Sequence, residues 1–181
     1  MNITQHLLTE ATQIPSPNFD DRPDADDISL LVIHCISLPP GEFGTDCIDQ
    51  LFCNQLKPDD HPYFKEIHQL TVSSHLVIKR TGEINQYVPF DKRAWHAGQS
   101  CYEGRERCND FSIGIELEGT ETVPYTEAQY LGLAAVVMTL LNTYPSLSTG
   151  RITGHSDIAP GRKADPGESF DWQKFYCMLG N

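Results

Sequence analysis

The sequence has 181 residues, of which 39% are hydrophobic and 21% are charged, a composition typical of one globular domain spanning residues 1–181. Its formal net charge of -12 argues against nucleic acid and against an anionic membrane surface as partners, since both require a basic face. Because the N-terminus lacks a signal-peptide pattern and no stretch has membrane-spanning length, we expect a cytoplasmic protein, which we take to be a monomer.

Apolar periodicity and turn residues divide the chain into strands and helices. In chain order we predict an extended loop over 14–28, a buried strand over 28–36, a short helix over 46–54, a hairpin formed by 75–79 and 84–88, an irregular segment over 90–109, a strand over 112–119, a helix over 126–142, a short strand over 151–153 and a helix over 171–179. This pattern predicts a single α/β domain with a mixed central sheet flanked by helices.

The helix over 126–142 has the clearest boundary signals. Thr126 and Gln129 have the spacing of a capping box, and Pro145 follows the predicted end. Its middle, 131–141, is almost entirely apolar, so we expect this helix to be buried against the sheet.

His34 lies within the most apolar strand of the chain. A charged imidazolium is costly in such surroundings, so the side chain is expected to be neutral and hydrogen-bonded. It is either a core histidine bonded to the backbone or a zinc ligand at the carboxyl end of a strand, where α/β folds place their sites.

The segment 153–167 concentrates histidine, aspartate and lysine between Gly and Pro residues that argue against a helix. Together with His34, His155 and one aspartate would give zinc three protein ligands and leave a fourth position open, as in catalytic sites. The aspartate is either Asp165 or Asp157, and Asp157 could instead hydrogen-bond its own turn.

Two further residues carry charge where a hydrolytic site needs it. Glu116 lies on the face of strand 112–119 opposite to the apolar residues, where it either faces solvent, as we expect of Glu118, or acts as a general base. Lys163 precedes Asp165 by two residues, so in an extended segment both point the same way. It is either a surface charge or an oxyanion stabiliser.

Other side chains indicate a pocket for a small polar molecule. Trp95 and His96 form an aromatic pair that suits stacking on a sugar or a peptide. Most arginines and lysines of the second half lie beside the suspected site, a local basic patch that suits a small anionic substrate. The six cysteines form no C-x-x-C pair, so we expect reduced thiols, with a cysteine nucleophile as the alternative.

Four separate motifs resemble, in their order, those of the zinc-dependent N-acetylmuramoyl-L-alanine amidases, a family related to the peptidoglycan recognition proteins. The motifs are His34-Cys35-Ile36-Ser37-Leu38-Pro39-Pro40-Gly41, Trp95-His96-Ala97-Gly98, Cys108-Asn109-Asp110-Phe111-Ser112-Ile113-Gly114-Ile115-Glu116-Leu117-Glu118-Gly119 and Gly154-His155 through Gly167. They extend over most of the chain and are most similar to the cytosolic members that act on 1,6-anhydromuramoyl peptides. The resemblance implies the mixed α/β fold of that family.

The resemblance also implies a role for each matching residue of the site. It makes His34, His155 and Asp165 the zinc ligands. It makes Glu116 the acid/base that orients the attacking water, and Lys163 the residue that stabilises the oxyanion.

Four residues are expected to bind substrate: Trp95, His96, Arg107 and Cys35. The resemblance places Trp95 in the sugar site and Arg107 against carboxylates of the stem peptide. The family has Asn at the position of Cys35 and often Arg at that of Thr71, so the chain departs from its relatives there. Both departures concern substrate affinity or peptide preference rather than the metal site.

The implied reaction is zinc-dependent hydrolysis of the amide bond between the lactyl group of (1,6-anhydro-)N-acetylmuramic acid and L-alanine, in peptidoglycan recycling. A small muropeptide is therefore the expected partner. Two alternatives remain. A non-catalytic muropeptide-binding module is opposed by the complete set of ligands and catalytic residues. An envelope amidase that cuts intact murein is opposed by the missing signal-peptide pattern.

Overall fold

A six-stranded mixed sheet forms the centre of the molecule in the computed structural model, which describes residues 1–180. The strands are β1 (Ile3–Thr4), β2 (Leu7–Leu8), β3 (Thr12–Gln13), β4 (Phe19–Asp21), β5 (Leu30–Ile36), β6 (Leu76–Ile78), β7 (Ile84–Gln86), β8 (Lys92–Ala94), β9 (Cys101–Tyr102), β10 (Arg105–Glu106), β11 (Ser112–Glu118) and β12 (Ile152–Gly154). The helices are α1 (Cys47–Phe52), α2 (Phe64–Ile67), α3 (Glu127–Thr143), α4 (His155–Ile158) and α5 (Trp172–Met178). The predicted α/β class with a mixed central sheet is confirmed.

The sheet has the strand order β12-β5-β11-β6-β7-β3. Strands β12, β5, β11 and β6 run parallel, β7 is antiparallel to β6, and β3 is parallel to β7. In the register of the two central strands, Glu116 of β11 lies opposite His34 of β5. Paired residues of neighbouring strands direct their side chains to the same face, so the fold brings these two residues together.

The core lies on both faces of the sheet, which explains why β5 and β11 are so apolar. On one face, Ile113 and Ile115 pack in the same cluster as the buried side of α3. On the other face, a smaller cluster contains Leu30, Val32 and Phe111. The two central strands therefore have little exposed surface of their own.

Helix α3 begins where the capping box predicts. Thr126 Oγ1 accepts a hydrogen bond from Gln129 N (3.1 Å), and Gln129 Oε1 accepts one from Thr126 N (3.1 Å). The helix is buried on one side only, because Leu131 and Met138 are 57% and 49% exposed on its outer side. None of the helices within residues 1–180 combines the length and the apolar character that crossing a membrane requires.

Three segments contain more regular structure than the sequence predicts. Strand β4 lies within the predicted loop 14–28, strands β8 to β10 lie within the irregular segment 90–109, and α4 lies within 153–167. Hydrophobic periodicity is not readable over elements of two to four residues. The expectation that 153–167 excludes helix is wrong for its first turn, because α4 ends before Pro160.

Candidate metal centre

Three neighbouring parallel strands end at the candidate site. His34 lies near the end of β5, Glu116 lies opposite it on β11, and His155 directly follows β12. The carboxyl edge of a parallel sheet is where α/β proteins place their sites. The chain returns to this edge after α4, where Ser156 N donates a hydrogen bond to Asp165 O (2.9 Å).

His34, His155 and Asp165 converge on one point. His34 Nδ1 lies 2.9 Å from His155 Nδ1 and 2.9 Å from Asp165 Oδ2, and His155 Nδ1 lies 3.1 Å from Asp165 Oδ2. All three side chains are buried. Within residues 1–180, this is the group of histidine, cysteine and acidic side chains that is compact enough to hold a metal ion.

The protonation states of this cluster fit a bound cation. His155 Nε2 lies 3.0 Å from Ala97 O and donates its proton there, which leaves a lone pair on Nδ1. Burial lowers the pKa of His34 to about 4, although Asp165 opposes the shift, so this imidazole is neutral at pH 7. Two nitrogen lone pairs and a carboxylate at such distances repel one another unless a cation lies between them. Nitrogen and oxygen donors of this kind are zinc ligands.

The two candidate aspartates have different surroundings. Asp157 Oδ2 accepts hydrogen bonds from Gly154 N (3.0 Å) and Thr153 Oγ1 (3.1 Å), which is the turn-capping role of aspartate. Burial favours the neutral form of Asp165, but its close contacts with the imidazoles of His155 and His34 hold the pKa of this carboxyl well below its usual range. The structure thus brings Asp165, and not Asp157, into the cluster.

Glu116 borders the cluster with its Oε2 atom enclosed and without a hydrogen-bond partner among residues 1–180. Burial raises the pKa of this carboxyl well above its usual value, the charge of Asp165 raises it further, and Lys163 opposes the shift. A carboxyl with a free oxygen and a raised pKa is suited to accept a proton and to release it again. Glu116 therefore has the chemistry of a general base.

Glu118, which the sequence analysis expected to face solvent, is buried. Its carboxylate accepts hydrogen bonds from the backbone N–H groups of Gly44 and Arg80. The expectation was wrong because the loops around these two residues cover the end of β11, where Glu118 lies.

A cavity of about 580 Å³ lies over the cluster, a volume that suits a small ligand. Lys163 is exposed at this cavity, and Trp95 is half-buried in its lining. Trp95 Nε1 donates a hydrogen bond to Asp20 Oδ1 (3.1 Å), which holds the indole in place. One cavity thus contains metal ligands, a base and a cation, the groups that a hydrolytic site needs.

Cys35 also lines this cavity, but its thiol is not an activated nucleophile. Burial raises the pKa of Cys35 to about 12, and a hydrogen bond with Tyr125 opposes this rise only in part. The side chain is therefore a neutral thiol at pH 7, the opposite of the lowered pKa that a cysteine nucleophile needs.

Of the other two expected substrate-binding residues, His96 lines this cavity and Arg107 does not. His96 Nδ1 lies 2.9 Å from His34 Nε2, and His96 Nε2 lies 3.1 Å from Ser112 Oγ, so protein groups occupy both ring nitrogens. The ring nitrogens are therefore not free for a ligand, and the expected stacking of this ring on a sugar or a peptide stays a prediction. Arg107 lines a neighbouring cavity of about 390 Å³, and Arg162 lines both cavities.

Sequence analysis missed two residues that support the cluster. Asn109 Oδ1 accepts hydrogen bonds from the backbone N–H groups of His96 (3.2 Å) and Ala97 (2.8 Å). Arg162 Nη2 donates to the carbonyl of the same Ala97 (2.7 Å). Both residues lie inside motifs that the sequence displays, but their partners are backbone atoms of an irregular segment, which no sequence pattern specifies.

The chain is similar in sequence to known amidases. Residues 24–168 match the family model of N-acetylmuramoyl-L-alanine amidase (Amidase_2). The chain is 60% identical over 172 residues to the 1,6-anhydro-N-acetylmuramyl-L-alanine amidase AmpD of Enterobacter cloacae, covering 95% of this chain and 91% of that protein.

Solved structures have the same fold. A crystal structure of a selenomethionine AmpD derivative superposes with a TM-score of 0.96 at 59% identity and covers 99% of both chains. The N-acetylmuramyl-L-alanine amidase AmiD of Escherichia coli, solved with the substrate anhydro-N-acetylmuramic acid-L-Ala-D-γ-Glu-L-Lys, is 30% identical with a TM-score of 0.61. That match covers 84% of this chain and 57% of AmiD.

Proposed function

The chain belongs to the N-acetylmuramoyl-L-alanine amidase family, and on that basis we propose that it hydrolyses the amide bond between the lactyl group of 1,6-anhydro-N-acetylmuramic acid and the L-alanine of the stem peptide, in peptidoglycan recycling. The observation that carries the proposal is the convergence of His34, His155 and Asp165 beside the unpartnered Oε2 of Glu116. The name of the relative with 60% identity supports the anhydro sugar as part of the substrate.

Zinc is the metal we propose for the cluster, held by His34 Nδ1, His155 Nδ1 and Asp165 Oδ2. Three protein ligands with a fourth position open are the arrangement of catalytic zinc. The chemistry that zinc supplies when bound is polarisation of the scissile carbonyl and activation of water. His34 is neutral and Asp165 is ionised at pH 7, so neither has to lose a proton before it binds the ion.

Glu116 is the general base and then the general acid in this proposal. Its carboxylate takes a proton from the water that attacks the lactyl carbonyl carbon, and the C–O bond forms. When the C–N bond breaks, the same carboxyl gives that proton to the amine of L-alanine. The raised pKa of Glu116 supports the second step, because a carboxylic acid of ordinary pKa carries little proton at pH 7.

Lys163 and the cavity lining complete the site. The ammonium of Lys163, exposed at the cavity, stabilises negative charge on the carbonyl oxygen as the water adds. Trp95 packs against the sugar, Cys35 contacts the substrate beside the first ligand, and Arg107 of the neighbouring cavity binds a carboxylate of the stem peptide.

The experiment that tests the proposal compares two substrates. Zinc-loaded protein is incubated with 1,6-anhydromuramoyl tripeptide and, in parallel, with intact murein sacculi, and the products are identified by mass spectrometry. We expect free tripeptide and anhydromuramic acid from the small substrate and no release from sacculi. Cleavage of sacculi would instead indicate an envelope amidase, and binding without cleavage would indicate a recognition module. The cytoplasmic location and the monomeric state stay predictions.

A further inference from the structure

We infer that His96 is a positioning residue for the metal centre, which fixes the tautomer and the orientation of the ligand His34. This inference rests on the proposed metal centre and goes beyond it. His96 does not belong to the ligand cluster, and the sequence analysis assigned it to substrate. Its two ring nitrogens join His34 to Ser112 in one line of hydrogen bonds, at 2.9 Å and 3.1 Å.

The direction of these hydrogen bonds follows from the cluster. His34 Nδ1 faces Asp165 and His155 and has to present a lone pair to a metal ion, so the ring proton of neutral His34 is on Nε2. That buried N–H needs an acceptor, and His96 Nδ1 is the atom that lies within reach. His96 then has its own proton on Nε2, where Ser112 Oγ accepts it. Ligand histidines commonly depend on such a partner for their second nitrogen.

Gly114 of β11 makes room for this arrangement. A Cβ atom at position 114 would lie 2.5 Å from both Cγ and Nδ1 of His96 and 2.8 Å from its Cδ2. The imidazole therefore packs directly against the strand backbone, and any side chain at position 114 displaces the ring from His34. The glycine explains how a side chain outside the cluster reaches the ligand at hydrogen-bond distance.

The second ligand is oriented by the residue next to His96. His155 Nε2 donates to the backbone carbonyl of Ala97 (3.0 Å), so consecutive residues supply the acceptors for both ligand histidines. Asn109 Oδ1 holds this short segment by accepting both of its backbone N–H groups. Of the two acceptors, His96 is the one that a side-chain substitution removes.

Leucine and asparagine provide a matched test at this position, because they have nearly the same shape. In His96→Asn, the side-chain oxygen can occupy the place of Nδ1 and accept the proton of His34, whereas His96→Leu offers no acceptor. Zinc affinity is measured by competition with a chromogenic chelator, and the visible spectrum of the Co²⁺-loaded protein reports the ligand geometry. Thermal unfolding of the metal-free proteins shows whether each variant is folded.

We expect His96→Leu to weaken zinc binding by about 10- to 100-fold and to alter the Co²⁺ spectrum, while His96→Asn retains most of the affinity and the wild-type spectrum. Gly114→Ala displaces the His96 ring and should therefore also weaken zinc binding. If the Leu variant does not fold, His96→Ala replaces it in the comparison.

Equal zinc affinity of the folded Leu and Asn variants would overturn the inference, whether both bind zinc as tightly as the wild type or both bind it weakly. A wild-type protein that binds no zinc would overturn the metal centre itself and the inference with it. The two failures are therefore distinguishable.

Discussion

Glu116 and Asp165 are carboxylates of the same cavity, yet their pKa values move in opposite directions. Burial raises the pKa of Glu116, whose Oε2 has no partner among residues 1–180. The contacts with two imidazoles lower the pKa of Asp165 in spite of its burial. Pairs of acidic groups with pKa values driven apart by their surroundings are typical of hydrolytic sites, in which one stays ionised and the other carries the proton.

The first prediction concerns Glu116. Glu116→Gln keeps the size of the side chain and removes its ability to take up a proton, so kcat for the anhydromuropeptide should fall by about 10²- to 10⁴-fold. Zinc affinity should stay unchanged, since the residue is not in the ligand cluster. Product formation and metal content are measured on the same preparation. A Gln variant with wild-type kcat would exclude the proposed base.

The second prediction concerns the exposed cation at the cavity. Lys163→Met removes the charge and keeps most of the length, so the rate should fall by about 10²- to 10³-fold while zinc remains bound. The matched control is Lys57→Met, because Lys57 is exposed and does not line the cavity. Steady-state kinetics compare the turnover rates of the two variants. Equal rates would refute the role of Lys163 in stabilising the oxyanion.

Among the helices and strands, the sequence predicted the ones that are long or that have capping residues at their ends. The capping box located the start of α3, and the apolar run at 28–36 located β5. The irregular segment between 90 and 109 was not predictable in the same way, because its form depends on hydrogen bonds to distant residues. The hydrogen bond from Trp95 Nε1 to Asp20 Oδ1 is one of these. Such bonds leave no local pattern.

The third prediction tests the cap of α3. Thr126 accepts a hydrogen bond from Gln129 N and donates one to Arg80 O (2.8 Å). Thr126→Ala removes both, so the free energy of unfolding should fall by about 1 kcal/mol. Thr143→Ala, at the exposed last turn of the same helix, is the control and should change it much less. Urea denaturation measures both, and equal losses would contradict the role of the cap.

At the scale of the whole molecule, a row of histidines runs from the interior to the site. The rings of His75 and His96 have centroids 5.8 Å apart, those of His96 and His34 are 5.0 Å apart, and those of His34 and His155 are 4.5 Å apart. The buried guanidinium of Arg22 lies at the inner end, 3.2 Å from His75. Sequence motifs indicated His34, His96 and His155, but neither His75 nor the row, because the fold brings these rings together from separate parts of the chain.

The fourth prediction concerns the pH dependence of stability. Burial lowers the pKa of His75 to about 3, and the charge of Arg22 lowers it further. As the pH falls below the ordinary value of 6.5, the unfolded chain takes up this proton and the folded protein does not, so stability is lost between pH 6.5 and about 3. One such group contributes about 1.4 kcal/mol per pH unit in that window.

His75→Gln should therefore flatten the acid limb of the stability curve of the metal-free protein by that slope, although His34 and His96, which face His75, still contribute to it. His61→Gln, in the loop before α2, serves as the control. Chemical denaturation at a series of pH values provides the slopes. Parallel acid limbs for wild type and His75→Gln would refute the prediction.

The most direct test of the central claim is a zinc titration of activity. Protein stripped of metal by a chelator is mixed with increasing Zn²⁺, and release of tripeptide from 1,6-anhydromuramoyl tripeptide is followed at each step. The proposed zinc mechanism predicts no turnover without metal, a rise with added zinc and a plateau at one Zn²⁺ per chain, with His155→Ala remaining inactive throughout. Full turnover by the metal-free protein, or by His155→Ala, would contradict it.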